Sequence, residues 1–421
     1  MLKANSLFYT VVISIILAII TASLILFAYY SRIEFQSYEI IRKLNLNAES
    51  GINLLLSRQE IIAAGEEKTI DLFKNGDDSV HIKRNNWGAF EIALAKATSG
   101  KKEVSRIALT GYPCTAKESY SLYLADHDQP LAVCGATLIR GTAYLPKAGI
   151  KRAYIEGQNF TGNNLVEGII RQSNKQIPEF NKSIITNMKQ LLEGTALSEN
   201  DSVLELENRL PFDSLTNSFA DKTIMLVSKA ALKLRNIYYS GNIILVSTKK
   251  ITISASCQLQ NILVLAPKIF IEKDFKGQVQ LFASDSLILQ KNVRLDYPSV
   301  AGLFSNNNSS KFSVIQLDEN DSVSGAVFAC QQKQDIAKVS GVLIAQKSFV
   351  QGQIYSDGYA DIRGTVYGSV MCNTIMLNTT SSVYQNHLLN AVIDLTKRSK
   401  YYAGSALTEE AGFKTIVKWL N

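Results

Sequence analysis

The sequence predicts a mainly β protein: a parallel β-solenoid of about 18 residues per turn, carried on an N-terminal transmembrane and stalk helix, with a small β-rich module and a C-terminal helical cap. Three observations predict it. Apolar residues echo at a step of 18 through Ile243 to Leu295: Leu245/Leu263/Leu281, Ile251/Ile269/Leu287, Ile253/Ile271/Leu289 and Cys257/Phe275/Val293. Within each unit they recur at every second position, the period of a strand. A fixed step of that length with internal period two suits three short strands per turn, each turn stacked on the last. Second, Leu7 to Tyr30 is a run of 24 residues without a charge. Third, apolar residues make up 46% of the 421 residues and charged ones only 19%, so the excess is shared between a core and a membrane segment. The division expected is 1–62 for the transmembrane and stalk helix, 63–135 for the β-rich module, 136–382 for the solenoid and 383–421 for the cap.

The uncharged run covers a hydrocarbon core of about 30 Å at about 1.5 Å per residue. It closes on Tyr29, Tyr30 and Arg32, an interfacial aromatic pair and a basic anchor. That favours an uncleaved anchor over a signal peptide, whose apolar core is shorter. Membrane lipid is therefore one expected partner, through Leu7–Tyr30. Beyond the span, Tyr38, Ile41, Leu44, Ala48, Ile52 and Leu55 keep a helical rhythm with no proline. One helix over residues 6–60 would be roughly 80 Å long. An apolar half followed by an amphipathic half is similar to the N-terminal helix of type IV pilins. The run Asn47-Ala48-Glu49-Ser50-Gly51-Ile52-Asn53 resembles the Ala-Glu-Ala-Gly stretch of PilX-type minor pilins and pseudopilins. The resemblance implies a single-pass protein of the bacterial inner membrane with its bulk in the periplasm or at the cell surface, and protein partners in an envelope assembly. Pilins also carry a processed Gly–Phe bond and a glutamate five residues beyond it. Met1 to Thr10 holds neither that bond nor an acidic residue. The count of flanking Lys and Arg, taken alone, points the bulk the other way, into the cytoplasm.

The module reads as strands at Ser79–Lys83 and Gly88–Leu94, with Asn85-Asn86 between them as hairpin punctuation, then Val104–Leu109 and Tyr120–Leu124. Short glycine-punctuated strands at Gly141–Leu145 and Ala153–Gly157 suggest early solenoid turns. Near 178–220 the pattern changes: Ile184, Ile185, Met188, Leu191 and Leu192 have helical spacing, expected as an insertion packed on the solenoid's side or lip. Asn261 interrupts the column 243/261/279, through a register shift or an amide lining the stack. A weaker echo follows at Ala326/Ile344/Ile362 and Ser324/Val342/Ala360, offset by one residue from the first block. Leu388, Leu389, Val392, Ile393 and Leu395, then Ile416, Val417, Trp419 and Leu420, read as two capping helices over 387–398 and 408–420.

The 18-residue turn also resembles bactofilins, cytoskeletal β-helices, which implies a scaffold role as an alternative. One detail goes beyond fold. Ile244, Val246, Ile262, Val264 and Phe282 alternate with the inward set, as do Phe270 and Ile288 on the next face. Strands apolar on both sides are buried on both sides, so something must cover them. The inserted helix, the C-terminal helix and another subunit are the candidates.

Chemistry is sparse. The five cysteines include no Cys-x-x-Cys pair, and the three histidines, His81, His127 and His387, lie far apart, which disfavours a zinc framework. Cys257 and Cys372 fall in the apolar register; Cys114 and Cys134 flank a hairpin and would suit a disulfide if exported. No nucleophile elbow, Walker loop, dinucleotide fingerprint or His-Glu-x-x-His occurs. Asp318, Glu319 and Asp321, and Asp357, Asp361 and Arg363, are the acidic clusters that a carbohydrate-active β-helix would need, although solvated turns explain them more simply. No residue is singled out as catalytic, cofactor-binding or metal-ligating, and no cofactor is expected. The net charge of +7 is scattered, which gives nucleic-acid binding no support. A surface polysaccharide is compatible with it. The function expected is a non-enzymatic, membrane-anchored structural or assembly protein of the cell envelope, with a membrane-tethered carbohydrate-active or carbohydrate-binding β-helix as the alternative.

Overall fold

The computed structural model describes residues 3–57, 62–72, 78–113, 120–192, 202–206, 210–305, 312–331, 339–408 and 412–420. They form a mainly β protein with one long apolar N-terminal helix. That helix, α1, spans Lys3–Leu56 without a break. Its most apolar 18 residues have a mean hydropathy of 2.9 and none is buried. Hydroxyls inside the span return to the backbone: Ser14, Thr21 and Ser23 donate to the carbonyls of Thr10, Leu17 and Ile19 at 2.7–2.9 Å. Apolar surroundings therefore meet no free hydroxyl donor at these positions.

The lower half of α1 lies on an antiparallel sheet of β1 (Glu67–Ile70), β2 (Asp78–Trp87), β3 (Phe90–Ser99) and β4 (Lys102–Pro113), in that order. Alternation sorts β3 cleanly. Ala93, Ala95 and Ala97 face α1 and cluster with Leu44, Ala48, Ile52 and Leu55, while Phe90 and Ile92 face the other way. The small side chains let helix and sheet approach closely. A Cβ on Gly51 would stand 2.8 Å from the Ala95 Cβ, so only glycine fits that crossing. The hairpin turn falls at Gly88-Ala89, not at Asn85-Asn86. The two asparagines remain in β2, paired with Ile92 and Glu91, and Trp87 pairs with Phe90. Gly88 has φ +65°, the left-handed conformation a two-residue turn favours at its first central position.

Most of the remaining strands join into one closed, predominantly parallel sheet; Leu131–Cys134, Ile150–Arg152 and His387–Leu389 form a separate three-stranded parallel sheet, and Tyr154–Ile155 and Gln158–Asn159 a two-stranded pair. One inward column runs Leu232–Ile251–Ile269–Leu287–Ile315–Val342–Ala360–Ile375, each neighbour paired in a parallel ladder and every member buried. The columns Ile251/Ile269/Leu287 and Ile253/Ile271/Leu289 thus pair as the 18-residue echo implies. The third column does not: Leu245 pairs with Val264, and Val264 with Leu281. Asn261, with φ +58°, is a bulge that shifts the register between Gln260 and Ile262, and the shift is reversed between Ala266 and Lys268. One extra residue flips every following side chain. Ile262 and Val264 therefore point inward, and Leu263 and Leu265 take the outward places.

The later echo is also re-partnered. Ile344 pairs with Ile362 as expected, but its other neighbour is Leu317, not Ala326. Ala326 pairs with Val300 and Gln353 on a different face, and Ser324 with Gln351 rather than Val342. The one-residue offset arises because the steps from Leu289 to Leu317 and from Leu317 to Ile344 are 28 and 27 residues long.

The chain does not stack in sequence order. Val370 pairs with Leu122, Leu122 with Ala143 and Ala143 with Ile170, so the earliest parallel strands follow the last ones. Strands Leu122–Leu124 and Leu131–Cys134, expected in the membrane-proximal module, thus belong to the parallel set. The expected C-terminal helices are absent. His387–Leu389 and Val392–Asp394 are strands, and Ile393 sits between Val366 and Ile139 in the ladder. Asn386 and Asn390, at φ +54° and +56°, cut this segment into pieces too short for a helix. A single 3-10 turn, Leu395–Lys397, follows. Thr415–Leu420 is a strand on β4, where β-branched Ile416 and Val417 suit a pleated edge.

From Ile170 the ladder counts eleven steps back to Leu204, roughly 50 Å at about 4.8 Å each. The described residues after Ile170–Gln172 leave the sheet and include α2 (Lys182–Leu192). Phe180, Ile184 and Met188 pack into the outward cluster of Phe282, Phe304, Phe328 and Tyr355. The sheet's outer face of Phe90, Ile92, Ile107 and Leu109 packs into the same cluster. The doubly apolar strands are thus covered from within the chain, by the inserted helix and by the small sheet. Phe270 and Ile288, on the neighbouring face, are only half-buried, with the Lys250 ammonium 5.1 Å from the Phe270 ring centre.

Candidate functional site

The acidic clusters are structural. Asp321 takes the inward place ahead of its strand that Val293 takes ahead of the neighbouring one, and is fully buried. Its two oxygens accept the Val293 N–H at 2.8 Å and the Asp318 N–H at 2.6 Å. Burial pushes its pKa up to about 7, against the pull of those two hydrogen bonds. Glu319 pairs instead with Lys291 at 3.0 Å. In the second cluster Asp357 accepts from the Gln331 N–H and the Ser340 hydroxyl, and burial raises its pKa. Asp361 receives a two-pronged contact from Arg363, at 3.0 and 2.7 Å. Each carboxylate thus pins backbone or closes an ion pair. The histidines have unrelated neighbours: His81 lies 3.8 Å from Glu67, His127 bonds Asn373 and His387 bonds the Gln385 carbonyl. Among the described residues, no three of His, Cys, Asp and Glu converge to hold a metal ion. Cys134, Cys257, Cys330 and Cys372 are buried free thiols, and Cys134 donates to the Gln158 carbonyl at 2.9 Å. Cys114 lies outside the described residues, so the proposed disulfide has only one describable partner.

The features that stand out lie where the small sheet meets the parallel sheet. Gln280 is 4% exposed and sits between Leu263 and Val300 in an outward column. Its Oε1 accepts the Ala89 N–H at 2.9 Å and its Nε2 donates to the Trp87 carbonyl at 3.1 Å. One amide thereby satisfies both backbone groups of the hairpin turn. Gly88 is needed for this too, since a Cβ there would lie 2.1 Å from Gln280 Oε1. Sequence pattern overlooked Gln280; its one signal is a polar residue inside the run Val279–Ala283.

Beside this clasp, α2 and the small sheet leave a gap. A cleft of about 600 Å³ opens between them, floored by apolar side chains that include Trp87, Phe219 and Met188. Trp87 and Phe219 meet edge to face, with ring centres 5.0 Å apart. Asn85 and Asn86 of β2, Asn187 of α2, Asp221 and Lys222 also line the cleft; Asn85 lies on the Trp87 face of β2 and Asn86 on the opposite one. A second cleft of about 510 Å³ shares Asn86, Gly88 and Asn187. It is lined by Arg84, Glu91 and Lys414. Burial disfavours the charged Glu91, but two bonds from Arg84 and one from Lys414 hold its carboxyl below the usual range. Sequence pattern missed both clefts, because they join segments far apart in the chain.

Fold and site together define a mainly β protein with, among the described residues, one apolar helix long enough to cross a membrane, and a cleft in its folded body. No family model, curated protein or solved structure matches the chain.

Proposed function

We propose that this chain is a non-enzymatic, membrane-anchored structural or assembly protein of the bacterial cell envelope, minor-pilin-like at its N-terminus, with a β-solenoid head for adhesion or protein interaction. The division of α1 carries this reading. Its first half is bare and apolar, while Leu44, Ala48, Ile52 and Leu55 seat its second half on an antiparallel sheet. The run Asn47–Asn53, on which the pilin likeness rests, lies at the centre of that contact, with Ala48 and Ile52 wholly buried. The stacked parallel ladders with continuous inward columns support reading the head as a solenoid. Carboxylates committed to backbone and ion pairs favour a structural role over acid–base chemistry. In this reading the head lies outside the inner membrane. A reporter fused after Asn421 should be active only there, and deleting the gene should alter surface appendages or adhesion. Cytoplasmic reporter activity would overturn the placement, and unaltered appendages and adhesion would overturn the assembly role.

A further inference from the structure

We infer that the cleft between the small sheet and α2 is a binding site for an uncharged oligosaccharide; this names a ligand class for the adhesive head proposed above. Its size suits a small ligand, since such sites run to about 300–1,000 Å³. Its chemistry has two layers. The floor is apolar and contains an aromatic pair, Trp87 and Phe219. The cleft's lining also includes Asn85, on the Trp87 face of β2, and Asn187, whose side-chain amides each offer both donors and an acceptor. The two come from separate elements, β2 and α2, that line one space. The ionic groups at the rim balance: Lys83 lies 3.6 Å from Glu67, and Asp221 and Lys222 are adjacent and of opposite sign. Neither an anion nor a cation is thereby selected. A pyranose ring has an apolar face of C–H groups and a rim of hydroxyls that both donate and accept, which matches floor and walls. The parts are also rigidly held. The Gln280 clasp fixes the hairpin whose first strand supplies Asn85, and the buried Met188, next to Asn187, anchors α2 in the outward cluster.

The test is titration of the full chain, in detergent, with the uncharged hexasaccharides of glucose, N-acetylglucosamine and mannose. The Trp419→Phe background leaves Trp87 as the only tryptophan reporter. At least one sugar should shift Trp87 emission saturably. The double variant Asn85→Ala/Asn187→Ala should raise its Kd roughly thirtyfold, because two hydrogen bonds are lost. Asn187→Phe, which fills the cleft without adding a tryptophan, should abolish the shift. Far-ultraviolet dichroism should be unchanged in both variants, since neither asparagine lies in the buried core. Saturation by none of the three sugars would overturn the site, as would an affinity unmoved by the variants or saturation only by an uncharged peptide. The two readings separate cleanly: sugar binding with unaltered appendages and adhesion would sink the assembly role and leave this site standing.

Discussion

At the scale of single residues, buried polar groups decide how this protein responds to its surroundings. Asp321 replaces an apolar corner residue, and its folded pKa of about 7 lies above its ordinary value of 3.8. Between those values the folded state holds a proton that the unfolded chain has released. Stability from this group is therefore fully present below about pH 4, falls as the pH rises to about 7, and is level above that. The loss amounts to roughly 4 kcal/mol at most, at about 1.4 kcal/mol per pKa unit. Urea unfolding at pH 4.5, 5.5, 6.5 and 7.5 should show Asp321→Asn losing less stability across this window than the parent; parallel pH profiles would refute the assignment. Gln280 offers a second case. Gln280→Leu keeps the apolar column but strands the Ala89 N–H and Trp87 carbonyl, for a cost of about 2 kcal/mol in chemical denaturation. An unchanged midpoint would mean that water replaces the clasp. The two residues differ in how readable they were. Asp321 was visible as part of an acidic run but was read as a solvated turn, because nothing local shows that its corner faces inward.

At the scale of elements, legibility depended on whether the pattern could reveal its phase. The 18-residue echo was readable at Ile251/Ile269/Leu287 because those strands are uninterrupted and alternate. It misled at Ile262–Leu265, where four consecutive apolar residues look alike in either phase and only the Asn261 bulge determines which face is inward. Leu388, Leu389, Val392 and Ile393 fit a helix or two short strands equally by spacing, and the asparagines between them decide for strands. The C-terminal strand matters more than a cap would. It covers the edge of β4, and Lys418 reaches the Asn261 amide oxygen at 3.0 Å and that of Gln278 at 2.5 Å, so it ties the bulge to the small sheet. Ending the chain at Lys414 should therefore expose β4 and loosen the bulge together. Hydrogen exchange should speed up at Ile107–Gly111 and around Gln260–Ile262, while the ladder at Ile315–Leu317 stays protected. Acceleration at β4 alone would show that the Lys418 contacts carry no coupling.

At the scale of the whole molecule, α1 serves two environments, and the boundary between them can be located. Stacking order was hidden from the sequence, because inward columns record which positions face the core and not which turn lies above which. The partition of α1 was partly legible, since the apolar rhythm at Leu44, Ala48, Ile52 and Leu55 continues past the uncharged run. Contacts with the folded body begin near Ser37, whose hydroxyl receives the Lys102 ammonium, and continue with Lys43 to Asp78 at 2.6 Å and Arg106 to Asn45 at 2.6 Å. Residues 6–36 are all exposed. A chain beginning at Ser37 should therefore be soluble without detergent and unfold at the same urea midpoint as the full chain. A chain beginning at Glu66 removes the helix and uncovers Val80, Ile82, Ala95 and Ala108. Fully burying one aliphatic side chain is worth about 1.5–3 kcal/mol, so losing Leu44, Ile52 and Leu55 costs more than most domains can spare. That shorter chain should aggregate or unfold at markedly lower urea. If instead the chain from Ser37 aggregates, residues before it pack on the body, and the first half of α1 is not simply a membrane span.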